Sequence, residues 1–192
     1  MKVRKIVILT VIMTLIFGTA AFANSIGQRV RVIVNKTELD DGGVLIDGKS
    51  YLPLRSLTDT LQALLIWDDS AKKASIFKPN VHMFTMQGNT PFGSVPKAGR
   101  YKFYVFSQID NLKVDISAFK ISITDPYGEL TWIDSRVSGD KDFPESGKDN
   151  FWVRSKEISY EFKPAGKYTI RFWMKPAGEA DLQIVSEKVI TL

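Results

Sequence analysis

The sequence predicts a mainly β protein in two parts, a small α+β unit with one helix and then an antiparallel β-sandwich. Three observations carry this. Across about the last hundred residues, about seven short apolar segments alternate with turn signals, none at helical period. Helical spacing is confined to Leu54, Leu57, Leu61 and Leu64. The stretch from Lys78 to Thr90, broken by Pro79 and Gly88 with Pro91 just beyond, reads as a boundary.

The chain opens with Lys2, Arg4 and Lys5, then a nearly unbroken apolar run from Ile6 to Phe17, then the small-x-small pattern Ala21-Phe22-Ala23. Residues 1–23 are therefore expected to be a secretory signal peptide, with Asn24 the first mature residue, and the product to be secreted, outside the cell or in its wall. Retention of this segment as an anchor is the alternative; otherwise the membrane is met only through the signal peptide before cleavage.

Cysteine is absent, which excludes a lipidated cleavage site, disulfides and thiolate metal sites. The formal charge of +5 rests on 26 Lys and Arg against 21 Asp and Glu. Without Lys2, Arg4 and Lys5 the balance is 23 to 21, or +2, with both signs interspersed. That is no footprint for nucleic acid, which is not expected as a partner.

The first unit is expected over residues 24–87. Arg29 to Val34 alternates as a strand with one half-buried face, and Asn35-Lys36 and Asp40-Asp41-Gly42-Gly43 are turns. Val44 to Ile46 resumes as a strand, Asp47-Gly48 makes a hairpin turn, and Tyr51-Leu52 leads to Pro53. Pro53 suits the start of the helix, where a missing N–H costs little. Leu65 to Trp67 and Ala74 to Phe77 are strands about a polar turn, with Trp67 expected in the core.

The run Gly48-Lys49-Ser50-Tyr51-Leu52-Pro53-Leu54-Arg55, with Val32-Ile33-Val34-Asn35 before it and Leu61 and Trp67-Asp68 after it, resembles the N-terminal stalk domain of copper amine oxidases. That module is common in secreted proteins of Gram-positive bacteria. The resemblance covers about Val30 to Phe77 and implies a small structural module remote from any copper centre, with no oxidase activity. The family usually has Gly where Lys36 and Gln62 stand, so Gln62 implies a different helix end or some strain. Arg55 is expected to pin the helix start locally.

The second unit is expected over residues 88–192. Its strands are Tyr101–Ser107, Leu112–Ile116, Phe119–Thr124, Leu130–Ile133, Ile158–Phe162, Tyr168–Met174 and Leu182–Val189. Gly166-Lys167-Tyr168 resembles the tyrosine corner that opens a late immunoglobulin strand, which implies an immunoglobulin-like sandwich.

Candidate chemistry is sparse. His82 is the lone histidine, and no Cys stands ready as a nucleophile. His82 and Met83 with Met86 suggest a soft copper(I) site, but packing is the favoured reading. The polar stretch Asp134 to Asn150 carries Asp140, Asp142, Glu145 and Asp149 without a calcium-loop pattern and reads as a solvated loop. No catalytic, cofactor or metal residue is assigned.

On the strand Tyr168–Met174, Tyr168, Ile170, Phe172 and Met174 share one face, while Arg171 and Trp173, followed by Lys175, share the other. Trp173, Arg171 and Lys175 are the expected binding surface. The functional expectation is a non-catalytic envelope or extracellular module that recognises cell-wall polymer or another envelope protein. A cell-wall glycan hydrolase using acidic residues is the alternative.

Overall fold

The structure, a computed structural model, describes residues 27–192. The signal-peptide expectation for residues 1–23 falls outside them. The chain divides into two compact units, one ending at Ser56 and the other running from Leu57 to Leu192. Among the described residues, no helix is long and apolar enough to cross a membrane.

In the first unit, β1 (Gln28–Val30), β4 (Gly43–Ile46) and β5 (Lys49–Tyr51) form an antiparallel sheet in the order β1-β4-β5. β2 (Ile33–Val34) and β3 (Thr37–Glu38) form a separate hairpin. Asn35 and Lys36 turn it with both φ positive, at 51° and 68°, and Asp47-Gly48 turns the β4–β5 hairpin in the same way. Such double left-handed turns match the twist of the strands they join. Gly43 is obligatory for a different reason: an added Cβ would lie 2.6 Å from Leu52 and 2.9 Å from the Tyr51 carbonyl oxygen.

Helix α1 (Leu54–Leu61) follows Pro53 directly. Its buried residue is Thr58, whereas Leu54 and Leu61 are exposed, so the leucine stripe marks the helix without defining a buried face. The helix closes through two hydrogen bonds: Gln62 N–H to the Asp59 carbonyl (3.1 Å) and Ala63 N–H to the Thr58 carbonyl (2.9 Å). Gln62 has φ 55°. This is the paired-bond left-handed cap that glycine usually completes.

The first strands of the second unit, after the last turn of α1, are the hairpin β6 (Leu64–Asp68) and β7 (Lys73–Phe77). One sheet comprises β8 (Asn80–Gln87), β9 (Thr90–Phe92), β10 (Gly99–Asp110), β13 (Phe151–Arg154) and β14 (Ile158–Phe162). β10 is its centre, paired with β8 on one side and with β13 and β14 in succession on the other. Ser155 bridges the gap between those two: its N–H donates to the Val105 carbonyl and its hydroxyl accepts from the Val105 N–H, both at 2.9 Å.

The other sheet has the order β12-β11-β15-β16, from β12 (Leu130–Val137), β11 (Ile116–Thr124), β15 (Lys167–Pro176) and β16 (Gln183–Thr191). Residues 93–95 leave the first sheet and run parallel to the end of β16, with Val95 N–H donating to the Thr191 carbonyl at 2.8 Å. The two sheets enclose one core, with Phe103, Val105, Phe119, Ile121, Ile170, Phe172 and Ile190 fully buried. Alternation along β15 is complete: Tyr168, Ile170, Phe172 and Met174 are at 0% exposure, and the residues between them face outward. The mainly β class follows from these elements.

The division between units differs from the boundary expected at residues 87 and 88. β8 pairs with β10 along seven residues, and Leu64 of β6 is fully buried in the sandwich core. Both therefore belong to the second unit, as does hairpin β6–β7. Leu112–Ile116, expected as a strand, is mostly irregular and becomes β11 only at Ile116.

Candidate binding surfaces

The outward face of the second sheet carries the residues singled out from the sequence. Trp173 is half-buried, and its indole Nε1–H donates to the Ser122 hydroxyl at 2.9 Å. Ser122 lies opposite Arg171 on one side and Trp132 on the other, so the ladder brings Trp132 beside Trp173. Their rings meet edge to face at 5.9 Å, and Lys120 Nζ lies 5.0 Å from the Trp132 ring centroid. Such contacts orient aromatic rings without covering them. Trp132 is 46% exposed, more open than Trp173.

Arg171 and Lys175 flank Trp173 on the same strand. Arg171 carries its own counter-ion, with Nε donating to Glu187 Oε1 at 2.5 Å and Nη1 to Thr124 Oγ1 at 3.0 Å. Its charge is locally compensated, so positive charge on this face comes chiefly from Lys120 and Lys175. The structure thus brings Trp173, Arg171 and Lys175 onto one face and adds Trp132 and Lys120.

The outward face of the first sheet is also aromatic. Phe84 on β8 lies opposite Phe106 on β10, which lies opposite Arg154 on β13. Trp152 meets the Phe106 ring at 6.1 Å, and the Arg154 guanidinium covers the Tyr104 ring at 4.0 Å. At Trp152 opens a cleft of about 970 Å³, lined by residues 141–145 of the loop and by Gln108, Asp110 and Asn150 among others.

The loop beside this cleft is largely exposed, as a solvated loop should be, and it is also tied down at several points. Asp115 accepts from the Ser146 hydroxyl at 2.6 Å and from Gly147 N–H at 2.8 Å. Those two bonds, the hydroxyl first, hold its carboxyl below the ordinary value of 3.8. Arg136 donates to the Asp142 carbonyl at 3.3 Å, and Phe143 stacks on Phe119 at 5.7 Å. Asp134 is in β12 rather than in the loop; it is buried and paired with Arg136 at 3.1 Å.

Three other candidates are placed by the elements that carry them. His82 points outward while Met83 points into the core, because neighbours on a strand face opposite ways; they do not converge on one ion. Among the described residues, no three His, Asp or Glu side chains gather as a metal-ligand set. Trp67, expected in the core, is 47% exposed at the tip of hairpin β6–β7, where its Nε1–H donates to Asp69 at 3.3 Å. Arg55 is exposed in the first turn of α1.

No protein-family model matches the chain, and no curated protein matches it. A solved structure described as the X-ray structure of Northeast Structural Genomics Consortium target SoR45 is similar over 60% of this chain and 86% of that one. Identity is 13% and the TM-score is 0.36, a likeness too slight to bear on fold or function.

Proposed function

We propose that the chain is an exported, non-catalytic binding module of the Gram-positive cell envelope, with a stalk-like unit carrying an immunoglobulin-like sandwich. The Trp132–Trp173 pair with Lys120 above it supports this most directly. Oriented indoles on an open sheet face offer contact area to a partner but neither a nucleophile nor a proton shuttle. Lys120 and Lys175 suit an acidic wall polymer or the acidic face of another envelope protein. The immunoglobulin-like assignment draws on the tyrosine corner at Tyr168 and on strand order, with β10 central in one sheet and β11 and β15 central in the other.

Co-sedimentation of the protein with purified Gram-positive cell wall tests the reading. Trp132→Ala is expected to weaken retention about ten-fold, a loss of ~1.4 kcal/mol, with the unfolding midpoint nearly unchanged. Equal retention with equal stability would remove this face from consideration. Release of soluble wall fragments, abolished by changing one carboxylate, would replace the proposal with the hydrolase reading.

A further inference from the structure

Trp152 is 71% exposed, yet its position is fixed. β13 places it opposite Gln108 on β10, and Phe106 supports one edge of its ring. Gln108 Nε2 donates to Asp110 Oδ2 at 2.9 Å, so the amide and the carboxylate lie in a row beside the indole. The cleft they line is bounded by a loop held at Asp115, Arg136 and Phe143, which makes it a preformed site. Its volume of about 970 Å³ lies at the upper end of the roughly 300–1,000 Å³ usual for small-ligand sites, which suits a ligand of several rings.

We propose that this cleft binds an uncharged oligosaccharide. A pyranose presents an apolar C–H face and a girdle of hydroxyls that both donate and accept. An exposed indole matches the first, and planar groups such as the Gln108 amide and Asp110 carboxylate, with two polar atoms each, match neighbouring hydroxyls. Charge decides against other classes. The lining holds four Lys or Arg and three Asp or Glu side chains, so its field is nearly balanced and selects neither a polyanion nor a polycation. Protein-binding cores are depleted of charge, whereas this lining is dominated by polar and charged groups. The site lies on the first sheet, and its occupancy is independent of the Trp132–Trp173 face on the second.

The experiment is calorimetric titration of the whole protein with cello-, chito- and xylo-oligosaccharides of six units, and with polyglutamate as the anionic control. At least one neutral oligosaccharide is expected to bind with Kd below about 1 mM. Trp152→Ala should weaken it at least about ten-fold, Trp152→Phe should retain part of the affinity, and Tyr127→Ala, at an exposed aromatic in the turn between β11 and β12, should leave it unchanged. The unfolding midpoints of these variants report that each still folds. Absence of binding by all three neutral series would overturn the proposal, as would binding that survives Trp152→Ala, or heat released by polyglutamate alone.

Discussion

The Tyr168 hydroxyl donates a hydrogen bond to the Pro164 carbonyl at 2.8 Å and accepts one from Lys163 N–H at 3.1 Å. Tyr168, the second residue of β15, is at 0% exposure, with its ring edge-on to Phe162 at 4.8 Å. The phenol therefore locks the connection between β14 and β15 from inside the core. Gly166 lies in that connection at φ 143°, where an added Cβ would come within 3.0 Å of Pro126. Tyr168→Phe keeps the ring and strands two backbone groups. We expect a loss of about 1–3 kcal/mol in urea unfolding with an unchanged slope. A loss near zero would show that the corner carries no net stability.

Alkaline pH should unfold the sandwich through its tyrosines. Burial, with smaller help from the nearby Asp125 charge, pushes Tyr160 from an ordinary 10.0 up to about 12, and burial raises Tyr168 as well. The folded state resists ionisation that the unfolded chain accepts. Stability is therefore intact below pH 10.0 and falls as pH rises from there towards about 12. Absorbance titration of the phenolates should show two of the tyrosines ionising only with loss of the β-sheet circular dichroism. Ionisation of every tyrosine near pH 10 in a still-folded protein would contradict this.

Lys36 at φ 68° and Gln62 at φ 55° are, with Asn35 and Asp47, residues other than glycine held in left-handed conformations in the N-terminal region. Each has a Cβ crowded against the following peptide, at a cost of about 1 kcal/mol that glycine avoids, partly offset by glycine's greater freedom when unfolded. Gln62→Gly is expected to raise stability by up to about 1 kcal/mol, and Gln62→Val, whose branched side chain suits this region worst, to lower it. Thermal midpoints of the two variants should move in opposite directions. A drop with glycine would mean that the Gln62 side chain contributes more than its backbone costs.

The same positions show how far the sequence could be read. The turn at Asp47-Gly48 and the alternation of Tyr168 to Met174 were legible because local residue choice and tertiary burial agree. β8 was not, because Phe84 and Met86 make its outward face as apolar as its inward one, so the period-two signal vanishes. Trp132 was hidden by a register shift at Ile121 and Ser122, after which Ile133 and Asp134 are both buried in succession. Trp152 stands in a strand of four residues at the end of a long polar loop, too short to display alternation. Trp67 looked like core because it lies between strands, but its hairpin presents that side to solvent.

Two side chains hydrogen-bond the backbone of β6 to the rest of the unit: Glu179, which accepts from Trp67 N–H at 3.2 Å, and Gln183, which holds both backbone polar groups of one residue. Gln183 on β16 accepts from Leu65 N–H at 2.6 Å and donates to the Leu65 carbonyl at 2.8 Å, replacing a strand neighbour for that peptide. Leu64 beside it is fully buried in the core, and Lys78 Nζ holds the Gln62 carbonyl at 2.6 Å. Gln183→Leu preserves bulk and leaves both Leu65 groups buried without partners, at about 1–3 kcal/mol each. The hairpin should then detach before the sandwich unfolds: the Leu65 amide should exchange much faster, and proteases should cut between Asp69 and Lys72 while β10 and β15 stay protected. Gln183→Glu retains an acceptor for the N–H and should fall between the two. If Leu65 exchange is unaffected by Gln183→Leu, apolar burial of Leu64 alone anchors the hairpin. A fragment starting at Gly88 lacks both Leu64 and β8, and is expected not to fold.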